Sequence, residues 1–142
     1  MVALDTNILC YALDPAYSEN LRARKILLGL SSQRPIAINP TVIHETYHTL
    51  VFGQKWLPET AKERLQLILA HPHVQFHNQT MQASNVALNL AVRYSLGGRD
   101  SLIIANSIVN KVPKLLTHDS DLTRMRSVSW RDRTLKFEDP IR

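Results

Sequence analysis

The 142-residue sequence predicts an α/β fold: a three-layer α/β/α sandwich with a central, mostly parallel sheet. Two observations support this class. Short apolar runs of strand length alternate with longer helical patterns from one end of the chain to the other. Hydrophobic residues make up 44% of the chain, and no linker, repeat or low-complexity tract interrupts it. We therefore expect one domain, spanning residues 1–142, in which helices cover both faces of the sheet.

The predicted strands are short and apolar. The first, Val2–Leu4, comes at the start of the chain, and the second, Ile36–Ile38, follows two predicted helices. Three further strands are expected at Val74–Phe76, 115–117 and 134–137. Because helices separate successive strands, the crossovers favour parallel pairing.

The predicted helices are marked by proline, by capping residues and by apolar residues at helical spacing. Pro15 ends the first helix, Ser18 caps the second, and Pro40 opens the third at its first turn. Gly97 and Gly98 mark a turn before the last helix, which is apolar nearly all round and should be buried. The six helices are expected at 7–13, 18–30, 41–52, 59–69, 79–94 and 100–110.

The charge balance permits a nucleic-acid partner. Lys and Arg number 17 and Asp and Glu 12, a net charge of +5 that is equally typical of a solvated basic surface. Cys10 is the only cysteine, which indicates a reducing compartment. Neither a secretory signal nor a membrane helix is visible, so we expect a cytoplasmic protein without a membrane partner.

Acidic residues follow two of the predicted strands. Asp5 comes directly after Val2–Leu4, and Asp119 and Asp121 come just after 115–117. Parallel strands end at the same edge of a sheet, which is where ligands bind in open α/β sheets. These carboxylates are therefore expected to gather at one edge.

Two further acids lie near the starts of helices at the same edge. Asp100 opens the buried helix before strand 115–117, and Glu45 lies one turn into the helix after Ile36–Ile38. Considered alone, each acid in the sequence also fits a simpler role as a helix cap, a turn residue or a solvated charge. The prediction of a site depends on their convergence.

The predicted acidic cluster requires a cation, because crowded carboxylates repel one another unless a divalent ion neutralises them. Mg2+ takes oxygen ligands, keeps several waters and commonly bridges to phosphate. The cluster therefore indicates metal-dependent hydrolysis of a phosphodiester bond. No side-chain nucleophile is predicted, since neither Ser101 nor Cys10 has a paired base in the sequence pattern.

Three motifs resemble those of PIN-domain ribonucleases. Residues 1–9, Met-Val-Ala-Leu-Asp-Thr-Asn-Ile-Leu, resemble the family's opening strand and acid. Residues 99–105, Arg-Asp-Ser-Leu-Ile-Ile-Ala, resemble its Asp-Ala-Leu-Ile-Ala helix, and residues 115–122, Leu-Leu-Thr-His-Asp-Ser-Asp-Leu, resemble its Leu-Leu-Thr-x-Asp-x-Asp-Phe segment. The motifs occur in the family's order over nearly the whole chain. Departures occur at three positions, where the family usually has an aromatic residue, Ala and Phe: Arg99, Ser101 and Leu122.

The resemblance implies an endoribonuclease that cleaves RNA with Mg2+, for which Mn2+ can substitute. The compact size is most similar to the VapC-type toxins of toxin–antitoxin pairs, which implies a small antitoxin protein that blocks the site, and a homodimer. Thr6 and Asn7 match the polar positions that support the first Asp. Five acids match the metal site, of which the first four are also the catalytic residues: Asp5, Glu45, Asp100, Asp119 and Asp121.

One motif favours a different reaction. Residues 44–48, His-Glu-Thr-Tyr-His, fit H-E-x-x-H, the zinc-peptidase signature in which His44 and His48 would bind zinc. The longer signature fails, because Val51 and Gln54 stand where Gly and His are required. A peptidase would also leave the other acids unexplained. A zinc metallopeptidase and a catalytically silent PIN-fold RNA-binding protein are the alternative functions.

Overall fold

A six-stranded sheet forms the centre of the computed structural model, which describes residues 1–142. The first three strands have only three residues each, and longer helices connect them. In chain order the elements are β1 (Val2–Leu4), α1 (Thr6–Leu13), α2 (Asn20–Leu28), β2 (Ile36–Ile38), α3 (Pro40–His48), a π-helical turn (Thr49–Gly53), α4 (Pro58–Ala70), β3 (Val74–Phe76), α5 (Met81–Tyr94), α6 (Gly98–Val109), β4 (Lys114–Leu116), α7 (Ser120–Met125), β5 (Ser127–Trp130) and β6 (Arg133–Glu138).

The strand order is β3-β2-β1-β4-β6-β5, so the first strand of the chain lies in the middle of the sheet. Four of the five strand pairs are parallel, and only the β5–β6 hairpin is antiparallel. Ala3 pairs with Leu115 and Leu4 with Leu116, which sets β1 and β4 side by side in register. The predicted mostly parallel sheet flanked by helices is confirmed.

The hydrophobic core explains why the short strands are stable. Twenty-seven buried apolar residues form one cluster, to which all three residues of β2 belong. Helix α6 contributes Ile103, Ile104 and Ile108, and it is buried as its apolar composition predicts. Burying side chains of this size is the main favourable term in folding. No helical segment combines the length and apolar composition needed to span a bilayer.

Several predicted element boundaries are wrong by one or two residues. Strand β4 starts and ends one residue before the predicted 115–117. Helix α2 begins at Asn20, and Ser18 does not cap it. Gly97 is the N-cap of α6 rather than part of a separate turn, and Gly98 is its first residue. Local turn and cap preferences predict such ends only approximately, because tertiary contacts decide them.

Two elements, α7 and β5, were not predicted. Helix α7 has only six residues, too few to show an apolar period, and its sequence is mostly polar. Strand β5 reads Ser-Val-Ser-Trp, with one fully buried residue, Val128. It forms by antiparallel pairing with β6, for example Val128 with Leu135. A strand that depends on its neighbour in this way cannot be predicted from its own sequence alone.

Candidate active site

The register of β1 and β4 fixes Asp5 at the carboxyl edge of the sheet. The Asp5 backbone N–H donates to the carbonyl of Leu116 at 2.9 Å, which continues the ladder by one residue. The hydroxyl of Thr117 donates to Asp5 Oδ2 at 2.7 Å, and the Thr6 N–H donates to Asp5 Oδ1 at 2.8 Å. Asp5 is therefore both the N-cap of α1 and a member of the acidic site.

Burial perturbs the Asp5 carboxyl strongly. The residue is only 7% exposed, and loss of solvation raises its pKa from 3.8 to about 6. The hydrogen bonds from Thr117 and Thr6 oppose this rise, whereas the nearby Asp100 and Asp119 carboxylates add to it. The pKa shift therefore records both burial and the proximity of the other acids.

Glu45 projects from α3 into the same site. The Thr6 hydroxyl donates to Glu45 Oε1 at 3.0 Å, so the residue after Asp5 links the first acid to the second. Arg99 Nη1 lies 2.5 Å from Glu45 Oε2. The Glu45 side chain is 18% exposed, which makes the simpler role of a solvated charge wrong.

Asp100 lies in the first turn of α6, where it is free to face the site because Gly97, not Asp100, is the N-cap. Burial is the largest cause of a rise in the pKa of Asp100, and the Asp119 carboxylate adds to it. The Arg99 guanidinium opposes that rise, while Glu45 contributes a smaller repulsion. The helix-cap role considered for Asp100 is wrong.

Asp119 enters from the loop after β4. Its Oδ1 accepts from the backbone N–H groups of Asp121 and Leu122 at 2.8 and 3.2 Å, so it is the N-cap of α7. Its own N–H donates to the Thr117 hydroxyl at 3.1 Å. Asp121 differs from the four other acids, since it is exposed, pairs with Arg124 and does not line the shared cavity.

The two supporting polar residues have different roles. Thr6 bridges to Glu45, as described above. Asn7 accepts a long hydrogen bond, 3.4 Å, from the backbone N–H of His118, which ties α1 to the loop after β4. Both contacts hold segments that carry acids of the cavity.

The four acids line one open cavity of about 320 Å³. A larger cavity, about 570 Å³, lies by the β5–β6 turn at the opposite edge of the sheet, but Asp132 is its only acid. The sequence did not predict that Tyr11, Tyr17 and Thr49 also line the acidic cavity, because nothing in their spacing marks them. The cavity lining comprises Asp5, Thr6, Asn7, Cys10, Tyr11, Tyr17, Glu45, Thr49, Arg99, Asp100 and Asp119.

The donor chemistry of the cavity fits a hard divalent cation. Carboxylate oxygens predominate, hydroxyls surround them, and Cys10 is buried with a thiol pKa raised to about 11, so it stays protonated. No three His, Cys, Asp or Glu side chains are close enough together to enclose an ion directly. Mg2+ does not require such enclosure, because it keeps several waters and commonly uses only one or two carboxylates.

The H-E-x-x-H motif does not assemble as a zinc site. Glu45 faces the acidic cavity, where Thr6 and Arg99 contact it. His44 is exposed and lines a different groove, between α3 and α4, and the His48 ring lies 4.9 Å from that of Phe52. The residue that would be the base is therefore directed away from the surroundings of His44.

Fold and site together define the class of this protein: a mostly parallel α/β/α sheet whose carboxyl edge bears four carboxylates around one cavity. A family model, the PIN domain, matches residues 2–128. The chain belongs to the PIN-domain family. A comparison with curated protein sequences found no match.

Solved structures share this fold. The chain is similar to VapC20 of Mycobacterium tuberculosis, a sarcin-ricin loop cleaving toxin, with a TM-score of 0.75 and 15% identity over 92% of this chain and 99% of that one. It is similar to VapBC2 of Rickettsia felis, solved with a promoter DNA fragment, with a TM-score of 0.69 and 19% identity over 98% and 100% of the chains. For VapBC-1 of nontypeable Haemophilus influenzae the TM-score is 0.62, with 18% identity over the whole of both chains.

Proposed function

We propose that this chain is a Mg2+-dependent endoribonuclease, the toxin of a toxin–antitoxin pair. The observation that carries the proposal is the convergence of Asp5, Glu45, Asp100 and Asp119 on one cavity at the carboxyl edge of the sheet. Burial raises the pKa values of two of these carboxyls, Asp5 and Asp100, and carboxyls perturbed in this way inside a cleft mark a candidate functional site. Membership of the PIN-domain family and the likeness to VapC structures support the same assignment.

In this proposal the four acids of the cavity hold Mg2+, or Mn2+ in its place, directly or through the waters that the ion keeps, and Asp121 takes no part because it pairs with Arg124 outside the cavity. When bound, the cation would neutralise the carboxylates and stabilise negative charge on phosphate oxygens. Asp5 is fixed by Thr117 and Thr6, so its carboxyl keeps one orientation. Thr6 and Arg99 likewise restrain the Glu45 carboxylate. Such preorganisation reduces the rearrangement needed when charge develops on the substrate.

RNA is the proposed substrate, and a pair of tyrosines in the cavity and the net charge of the chain support a nucleic acid. Tyr11 and Tyr17 pack edge to face at the cavity wall, with ring centroids 4.9 Å apart. Burial raises the pKa of both hydroxyls, so the rings stay neutral beside the acids. Aromatic side chains of this kind stack on unpaired bases. The +5 net charge favours approach of a polyanion.

The first test is hydrolysis of a labelled, structured RNA by the purified protein. Cleavage should require Mg2+ or Mn2+, stop with EDTA and fall to below about one-hundredth in Asp100→Asn, because a group contacting the cation is lost. Asp132→Asn removes the same charge at the opposite edge of the sheet and should leave cleavage unchanged. His48→Ala should also retain it. Equal cleavage by Asp100→Asn and the wild type would indicate a contaminant and refute the proposal.

A small antitoxin that covers the acidic cavity is the proposed protein partner, and the cytoplasm the proposed location. The R. felis and H. influenzae structures described above are of VapBC assemblies, which supports a partner of this kind. The lone, buried Cys10 suits a reducing compartment. A single PIN domain spanning residues 1–142 is part of the same proposal. Cleavage by a complex with the antitoxin should be lower than by the chain freed from it.

A homodimer is proposed through the outer face of α5. Met81, Leu88 and Val92 are exposed there, at positions i, i+7 and i+11, and therefore form one apolar stripe. Two stripes packed antiparallel about a twofold axis place the two copies of Leu88 close together near that axis. Exposed apolar stripes of this regularity are typical of interfaces.

Leu88→Asp should therefore convert a dimer into a monomer, since it buries a charge near the proposed axis. The molar mass would be measured by light scattering at several protein concentrations, and the dimer should weaken at least about 10-fold. Leu67→Asp is the matched control, because Leu67 is equally exposed but lies on α4. A monomeric wild type, or a dimer that survives Leu88→Asp, would exclude this interface.

A further inference from the structure

We propose that Arg99 is the residue that receives a phosphate group of the substrate, and that it competes with the divalent cation for Glu45. The inference rests on the proposed nuclease function and assigns a task to a residue at which this chain departs from the PIN motif. Arg99 precedes Asp100 in the first turn of α6 and lines the acidic cavity. It is the only Lys, Arg or His among the residues of that lining.

The contacts of Arg99 do not fit a purely structural ion pair. Its side chain is 79% exposed, and the guanidinium has one protein partner, Glu45, at 2.5 Å. Solvent screens a pair with so exposed a member, so it contributes little to stability. A guanidinium has five N–H donors in a fixed fork, and the edge not engaged by Glu45 is available to an anion. Phosphate oxygens match that fork.

Glu45 holds the guanidinium at the mouth of the acidic cavity. The Thr6 hydroxyl fixes Glu45 Oε1, which leaves Oε2 to Arg99. The acids would otherwise repel a polyanion, and Arg99 supplies the positive charge that a phosphate needs beside them. The positive charge of Arg99 also repels a metal cation. A metal ion that bound Glu45 would compete with Arg99 for the Oε2 atom.

Removal of the Arg99 charge should therefore affect the two ligands in opposite directions. In Arg99→Gln the divalent cation should bind more tightly, because a competing cation has left Glu45 and Asp100. RNA should bind more weakly, because a phosphate contact is lost. If Arg99 served only to position Glu45, its loss would weaken cation binding as well.

The test uses the full chain without RNA cleavage as a readout. Mn2+ binding would be measured by titration calorimetry without RNA, and binding of a labelled single-stranded RNA by fluorescence anisotropy in EDTA at several salt concentrations. For Arg99→Gln the dissociation constant for Mn2+ should fall about 2- to 5-fold. The dissociation constant for RNA should rise about 3- to 10-fold, and the slope of log affinity against log salt should shrink by about 0.7.

Two variants serve as controls. Arg34→Gln removes the same charge from an exposed residue just before β2, at the opposite edge of the sheet, and should change neither constant by as much as 2-fold. Arg99→Lys keeps the charge but not the fork, so Mn2+ binding should stay at the wild-type level while RNA binding is intermediate. Thermal unfolding curves that match the wild type would establish that each variant is folded.

Three results would overturn the assignment: weaker Mn2+ binding by Arg99→Gln, unchanged RNA binding by that variant, or an equal loss in Arg34→Gln. Failure of the proposed nuclease function gives a different pattern. In that case the wild type does not cleave RNA with Mg2+ or Mn2+, while the opposite changes in Mn2+ and RNA affinity still appear in Arg99→Gln.

Discussion

Replacing Asp5 by Asn should abolish RNA cleavage and, at neutral pH, make the metal-free protein more stable. The loss of activity should be at least about 1,000-fold, because a carboxylate that contacts the cation contributes several kcal/mol to the transition state. Asn keeps an oxygen that accepts from Thr6, so the cap of α1 is retained. It removes the buried charge that repels Asp100 and Asp119.

The size of the stability gain follows from the pKa of Asp5. A rise from 3.8 in the unfolded chain to about 6 in the folded one corresponds to at most about 3 kcal/mol above pH 6. Because the amide must also rearrange its contact with Thr117, we expect a net gain of about 1–2 kcal/mol at pH 7.5.

The raised pKa of Asp5 also determines whether stability rises or falls with pH. Between pH 3.8 and about 6 the folded wild type binds more protons at Asp5 than the unfolded chain does, so its stability falls as the pH rises through this window. The variant lacks this fall, and its advantage should disappear below about pH 4. Urea unfolding of both proteins in EDTA at pH 4, 5, 6 and 7.5 would measure it. A constant difference at every pH would contradict the assignment to Asp5.

Substitution of Asn106 by Leu should cost about 2–4 kcal/mol of unfolding free energy. Asn106 is buried in α6, and its amide group donates to the carbonyls of His77 and Asn78 at 3.0 and 3.2 Å and to Gln79 Oε1 at 3.2 Å. Leu would leave these acceptors beneath the loop between β3 and α5 without a donor. Each buried unsatisfied polar group costs about 1–3 kcal/mol.

Urea unfolding at one pH would check this prediction. Asn89→Leu is the matched control, since Asn89 lies on the exposed side of α5 and donates only to the carbonyl one turn before it, that of Asn85. The control should change the unfolding free energy by less than about 0.5 kcal/mol. A cost below 1 kcal/mol for Asn106→Leu would show that water replaces the amide.

The sequence carries enough information for the sheet because its strands are both apolar and separated by helices. Val2–Leu4, Ile36–Ile38 and Val74–Phe76 have the predicted bounds. Strand β5 and helix α7 were missed for a physical reason. Each is short and mostly polar, and each depends on a partner, β6 or the Asp119 cap, that local spacing does not reveal.

The candidate site also has a part that the sequence predicts and a part that it does not. The rule that strand ends meet at one edge predicts the convergence of Asp5 and Asp119, and the register of β1 and β4 places them accordingly. The same rule does not identify side chains that reach the cavity from helix faces or distant loops. Tyr17 and the ion pair of Arg99 with Glu45 belong to that group. Their positions depend on how the helices pack, which no short motif encodes.

The central position of β1 has a consequence for the order of events during synthesis. Strand β1 leaves the ribosome long before its partner β4, which follows more than a hundred residues later, and the hydrogen bond from Thr117 to Asp5 spans 112 positions. Pairing over such a separation is slow, because a long loop must close before any contact compensates for it. Thr117 in turn donates its N–H to Glu138, next to β4 in the sheet. Asp5, Glu45 and Asp100 are therefore synthesised before the cavity can form. The cavity forms only after β4 and β6 have left the ribosome.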